Sequence, residues 1–313
     1  MMTRIVAPSR LHFGLFHVPV GGEQTPGERA YGGAGLMIDT PGVVVTAKLA
    51  ETWQFEGPLA SRAQNFAMRF MHTIPEESQR PFQVLVERCP KEHTGLGVGT
   101  QLGLAVAKAL AVGLGLPDST STALATRIGR GERSAVGVHG FDRGGLLIEM
   151  GKFSREGISP LIENMKLPER WRVVLFTTAS SAHWHGAQER RAFVSAQTGN
   201  RDKLQQIAAT AIIPSAKSGD LEAFGGAVHE FNRLAGEPFD VAQGGSYSSP
   251  AIAELIAELR ELGIRGVGQS SWGPTVFAIV GDSDAALSLA LRYRSKMPVV
   301  VARVSGGHRM EQH

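Results

Sequence analysis

Apolar positions recur in two rhythms along the 313 residues. Stretches 3–8 (TRIVAP), 10–18 (RLHFGLFHV) and 42–49 (GVVVTAKL) are short, apolar and rich in β-branched or aromatic residues. They predict three successive strands, punctuated by turns at Gly21–Gly22 and Gly32–Gly33. Residues 60–74 carry apolar groups at helical spacing, through Ala63, Phe66, Phe70 and Ile74. A strand is predicted over 82–90. A helix follows it, with Leu102, Ala105, Val106, Ala109 and Leu110 on one face, then a short helix over 121–129 and a strand over 144–151. The second half opens on a strand at 171–178 and turns helical over 187–198, 201–213, 218–235 and 250–262. Strands at 264–269 and 274–280, a helix at 283–296 and a last strand at 298–304 complete the reading. Strands first, then helices set between strands, predict an α+β fold of two lobes. The polar segment 154–170 places the boundary near residue 165, giving lobes 1–165 and 166–313.

Composition narrows the class. The apolar fraction of 42% and charged fraction of 19% are those of a globular protein able to bury its own core. The single Cys89 excludes a disulfide framework and a cysteine-rich zinc site. A net charge of +3 without a Lys/Arg run argues against nucleic acid and leaves a small anion as a natural ligand. No apolar run approaches the roughly 18 residues of a membrane span, and the first ten residues lack a signal-peptide core. A cytoplasmic protein with no membrane partner is expected.

The most specific local signal is HTGLGVGTQ, residues 93–101, between the strand at 82–90 and a helix. Its glycines permit positive φ and close backbone approach, and a helix N-terminus presents unpaired N–H groups to an anion. Thr100 adds a hydroxyl, as N-cap or phosphate donor, and Gln101 an uncharged amide. The loop lacks the Lys of a P-loop and does not open a dinucleotide-binding unit. Alone, a ligand-free strand-to-helix turn would explain it about one time in three, given how common such turns are. Two further polar stretches reduce that reading. Arg10 and His12 alternate on one face of a strand. GQSSWGP, residues 268–274, offers Ser270, Ser271 and Trp272 in a turn.

These stretches, in this order, resemble the GHMP kinase superfamily. Pro8-Ser9-Arg10 matches its first motif, Pro90 with Gly95-Leu96-Gly97 its second, and Gly266 to Gly273 its third. Val98-Gly99-Thr100 stand where the kinases carry Ser-Ser-Ala, which removes two hydroxyls used for Mg–nucleotide. The branch of β-ribofuranosylaminobenzene 5′-phosphate synthases is matched better. The match runs through SRLHFGL, HTGLGVGTQLGLAVAKAL, GRGERSAVGVHGFDRGGLLIEMG, HGAQERRAF and GVGQSSWGPTVFA, from about residue 4 to 280. Arg133-Ser134-Ala135 and Asp142 depart from the branch pattern.

That resemblance implies a pentosyltransferase. It would join phosphoribosyl pyrophosphate to 4-aminobenzoate or 4-hydroxybenzoate, with loss of pyrophosphate and CO2, in tetrahydromethanopterin biosynthesis. It also implies Mg2+ and a homodimer. Gly95, Gly97, Gly99, Thr100, Gln101, Ser270 and Ser271 are then the expected phosphate ligands. Arg10, His12 and Asp142 are expected catalytic groups, with Asp142 a possible metal ligand. His185, Glu189, Trp272 and Phe141 are expected at the substrate. Each has a plainer reading: a surface Arg10, a core His12, a turn-forming Asp142, a packing Trp272, and a His183–His185 pair with no third metal ligand. An ATP-dependent kinase and a catalytically silent ligand sensor on the same fold remain open alternatives.

Overall fold

The computed structural model describes residues 2–117, 119–179 and 187–312. The strands are β1 (Met2–His17), β2 (Tyr31–Leu49), β3 (Gln54–Glu56), β4 (Phe82–Arg88), β5 (Leu146–Glu149), β6 (Leu161–Met165), β7 (Arg172–Thr177), β8 (Gly266–Gln269), β9 (Thr275–Val280), β10 (Val299–Ala302) and β11 (Arg309–Gln312). They form two sheets. The first runs β11-β1-β2-β4-β3, with β5 also paired to β2 and β6 to β5; the second runs β10-β7-β9-β8. The fold is α+β, as expected.

The first sheet carries helices Ala60–Met71 and Val98–Gly113 on one face. Ala63, Phe66, Ala67 and Phe70 bury one stripe of the first helix. The second helix is buried around most of its surface, which small residues at Gly103, Ala105, Ala107 and Ala109 make possible. A second core lies between β1, β2 and β5 of the first sheet and β7 and β9 of the second, closed by Leu221–Gly236. Helices Pro250–Glu261 and Ser283–Tyr293 cover the far face of the second sheet.

Several expectations change. The two predicted N-terminal strands are one, β1, with irregular pairing between Ala7 and Ser9 and between His12 and Gly14. The third predicted strand is the last part of β2, and Gly32 and Gly33 lie inside that strand rather than in a turn. At Gly32 and Gly33 the backbone takes positive φ, and a Cβ would overlap the backbone of Gly151 and Gly14, so only glycine fits there. The segment read as a polar linker holds β6, whose alternating burial against β5 is that of a half-covered strand. The predicted helix at 201–213 instead runs as Arg201–Ile207, a π-turn at Ala208–Ile212, and Ile213–Ser218. Helix Val136–Arg143 and strands β3 and β11 had no counterpart in the sequence reading. The first sheet draws its strands from β1 to β6 together with β11, which returns to pair with β1, and the second from β7 to β10.

Candidate functional site

The three signature stretches are stapled together by one hydroxyl. Ser270 Oγ donates to the Gly95 carbonyl (2.7 Å) and accepts from the His12 amide (3.0 Å). Main-chain bonds extend the joint: Arg10 N–H donates to the Leu96 carbonyl (3.0 Å), and Ser271 N–H to the His12 carbonyl (3.2 Å). Asn232 closes the far side, its amide donating to the Phe13 and Gln269 carbonyls at 2.6 and 2.9 Å. Loop, strand and turn therefore form one rigid wall.

That wall bounds a cavity of about 610 Å³. Gly97, at φ 70°, is the N-cap of Val98–Gly113, so the expected cap role of Thr100 falls to a glycine. The first N–H groups of this helix have no carbonyl one turn back to bind, and they lie on the cavity wall. Thr100 lies in the first turn. Its Oγ1 accepts from Arg130 Nη2 at 3.1 Å.

Arginines crowd the same end. Arg10, Arg62, Arg130 and Arg133 all line the cavity. Arg62 pairs with Glu92. Burial pulls the Arg62 guanidinium below its usual pKa. Burial and then repulsion from Arg62 do the same to Arg130. Like charges held together out of water lower the cost of binding an anion between them. A Cβ on Gly99 would overlap the Arg62 guanidinium, so that glycine leaves room for the arginines.

The opposite end is aromatic. Phe193, Phe239 and Trp272 meet edge to face, with centroids 4.6–6.0 Å apart. All three line the cavity. Arg133 lies over the Phe193 ring at 4.4 Å, joining the two ends.

The expected residues divide accordingly. Arg10, His12, Gly95, Gly97, Gly99, Thr100, Ser271 and Trp272 line the cavity. Gln101 is fully buried, with Nε2 donating to the Gly137 carbonyl (2.7 Å), so it braces the loop from behind. Ser270 is also fully buried and acts as the staple rather than a wall group. Phe141 packs in the core against His308, its ring stacked at 4.3 Å, and is off the cavity. Asp142 is off it too. Its Oδ2 accepts from Ser121 N–H (2.7 Å) at the start of a helix, and its Oδ1 lies 3.5 Å from His308 Nδ1. The cause is helix Val136–Arg143, which turns both side chains away from the loop. His183 and His185 lie outside the described residues. Glu189 lies on Ala187–Val194.

Arg62, Arg130, Arg133, Phe193 and Phe239 had no place in the sequence reading of the site. Arg130 and Arg133 stand inside the quoted stretch GRGERSAVGVHG, so their proximity to a phosphate loop was a usable signal. Arg62 and Phe239 carried none, because only packing brings them in.

Among the described residues no three His, Cys, Asp or Glu side chains cluster to hold a metal ion. With Asp142 elsewhere, the cavity's carboxylates are Glu92, committed to Arg62, and the exposed Glu132. This donor set does not fit a protein-held Mg2+ site, which needs oxygen ligands in octahedral array.

The fold is similar to that of the GHMP kinases. The family "GHMP kinases C terminal" matches residues 212–299. Solved structures agree on the fold. Homoserine kinase from Cytophaga hutchinsonii superposes with a TM-score of 0.68 at 14% identity, covering 99% of this chain and 97% of that one. Mevalonate pyrophosphate decarboxylase from Streptococcus pyogenes gives 0.69 at 13%, covering 98% and 97%. The chain thus shares its overall fold with these enzymes, and its residues 212–299 match the GHMP kinase C-terminal family.

Relatives similar along nearly the whole chain are synthases. β-Ribofuranosylphenol 5′-phosphate synthase of Methanothermobacter thermautotrophicus is 29% identical, covering 92% of this chain and 91% of that protein. The synthase of the same name from Archaeoglobus fulgidus is 29% identical, covering 93% and 92%. The chain is an enzyme of this pentosyltransferase type. No helix among the described residues is long and apolar enough to cross a membrane.

Proposed function

We propose that the enzyme transfers the ribosyl 5-phosphate of phosphoribosyl pyrophosphate to the carboxylate-bearing carbon of a 4-substituted benzoate, releasing pyrophosphate and CO2. The observation that carries this reading is the two-ended cavity. A cationic, glycine-lined end suits a pyrophosphate, and the Phe193–Phe239–Trp272 end suits a flat aryl ring. The relatives are named for a phenol product, which favours 4-hydroxybenzoate over 4-aminobenzoate as acceptor. The product would begin the arene portion of tetrahydromethanopterin.

The chemistry asks little of a nucleophilic side chain. As pyrophosphate leaves C1 of the ribose, negative charge grows on its bridging oxygen. The helix N-terminus, Thr100, Arg62 and Arg130 are placed to stabilise it. The ring carbon bearing the carboxylate supplies the electron pair for the new C–C bond, pushed by the para oxygen or nitrogen. Loss of CO2 returns that pair to the ring and restores aromaticity, so no net proton is transferred. Arg133, against Phe193, draws the benzoate carboxylate toward the junction of the two ends. The aromatic walls keep water from the ribosyl cation, which would otherwise hydrolyse. Mg2+ enters as part of the substrate, carried on the pyrophosphate oxygens. Pro8-Ser9-Arg10 and the glycine loop alone would also serve an ATP-dependent kinase, but such a kinase gives no role to the aryl end.

The test is stoichiometric. Pure protein with phosphoribosyl pyrophosphate, 4-hydroxybenzoate and Mg2+ is expected to yield equal amounts of pyrophosphate, CO2 and aryl riboside. Pyrophosphate without aryl riboside, or turnover of ATP on adding a hydroxylated metabolite, contradicts the proposal.

A further inference from the structure

A short hydrogen-bonded relay that the reaction above does not use runs from a buried carboxylate to Ser134 and His12, both of which line the cavity. Glu149, the last residue of β5, is fully buried. Its carboxylate accepts from the Ala135 amide at 2.8 and 3.0 Å and from Ser134 Oγ at 2.6 Å. Ser134 Oγ lies in turn 3.0 Å from His12 Nε2. His12 is only 6% exposed and forms part of the cavity wall.

Direction along this relay follows from hydrogen counting. Burial raises the Glu149 pKa, but the Ala135 amide points at both its oxygens and holds it as an acceptor, so the one hydroxyl proton of Ser134 goes to Glu149. The oxygen facing His12 therefore accepts, and Nε2 must carry the imidazole proton. Burial, and then the neighbouring Arg10 charge, hold His12 well below its usual pKa, so the ring is neutral and has one proton to place. Nδ1 is left as a bare lone pair, with no hydrogen bond to any described residue. The cavity that His12 lines also holds Arg10, Arg62, Arg130 and Arg133.

We infer that Glu149 and Ser134 are positioning residues that fix His12 as its Nε2–H tautomer, so that Nδ1 presents the cavity with an acceptor for a ligand hydroxyl. Pyrophosphate has no carbon-bound hydroxyl, so the natural donors are a ribose hydroxyl or the para hydroxyl of the acceptor. Only this ligand assignment rests on the proposed function; the tautomer does not.

The tautomer is read directly by ¹⁵N NMR on histidine-labelled, ligand-free protein, with His12 assigned by its loss in His12→Gln. Wild type is expected to show a protonated Nε2 and an unprotonated Nδ1. In Glu149→Gln the new amide donates to Ser134, the hydroxyl turns toward His12, and the proton is expected to move to Nδ1. Ser134→Ala removes the director and gives a mixed population, which keeps the test decisive if Glu149→Gln does not fold. A protonated Nδ1 in wild type, or an unchanged tautomer in Ser134→Ala, overturns the inference. A binding arm locates the hydroxyl. In Ser134→Ala the affinity for either phosphoribosyl pyrophosphate or 4-hydroxybenzoate is expected to fall about tenfold, the loss of one buried hydrogen bond. Affinity for inorganic pyrophosphate stays unchanged. A loss shared equally by all three, or by none, contradicts the role.

Discussion

The two ends of the cavity are built by different means. The cationic end rests on a backbone frame: Gly95, Gly97 and Gly99 on a loop pinned to β1 and to the Ser270 turn by hydrogen bonds, with arginines packed against it. The aromatic end is made of side chains alone: Phe193, Phe239 and Trp272, brought from three separated segments of the second half. A backbone cradle constrains its own sequence, because positive φ at Gly95 and Gly97 admits few residues besides glycine. An aromatic wall asks only for bulk and flatness. The first therefore leaves a motif, and the second does not.

Removing the wall at the aryl end is expected to have the largest single effect. Trp272→Ala should weaken the 4-substituted benzoate about thirtyfold or more, as loss of a large buried ring contact does. Donor affinity should hardly change, and steady-state KM values for the two substrates would show the separation. Gly99→Ala tests the other end. Its methyl would push the Arg62 guanidinium aside, a flexible group, so folding survives while donor affinity falls about tenfold. Thermal melting beside a donor titration checks both halves. Thr100→Val, which removes one hydroxyl and the Arg130 contact, is expected to cost the donor several-fold and spare the acceptor. Asp142→Ala should have the smallest effect on turnover, within about twofold. It costs about 1 kcal/mol of stability through the lost bond from Ser121 N–H. A collapse of kcat in that variant would return Asp142 to the site.

Much of the fold could be read from local patterns. The helices at 60–71, 98–113, 221–236 and 250–261 and the strands β7 and β9 follow the apolar rhythm, because each buries one stripe or both faces. β6 and β11 escaped because they are polar edge elements, recognised by pairing partners far away in sequence. The same distinction runs through the site. Arg10 and His12 could be placed on one face from strand alternation alone. Asp142 could not be excluded from it, since its direction depends on helix Val136–Arg143, whose short apolar run carries little periodic signal. Gln101 and Ser270 sit in the right motifs yet face the protein, serving the loop's shape rather than the ligand.

Arg130 distinguishes a cavity with two separate ends from an undivided one. Arg130 touches Thr100 and stands beside Arg62, well inside the cationic end. Calorimetric titration of phosphoribosyl pyrophosphate and of 4-hydroxybenzoate into Arg130→Gln should show donor affinity reduced at least tenfold, as expected for a charged hydrogen-bonding partner. Acceptor affinity should stay within about twofold of wild type. An equal loss for both ligands, or a loss confined to the benzoate, would contradict a cavity divided into a pyrophosphate end and an aryl end.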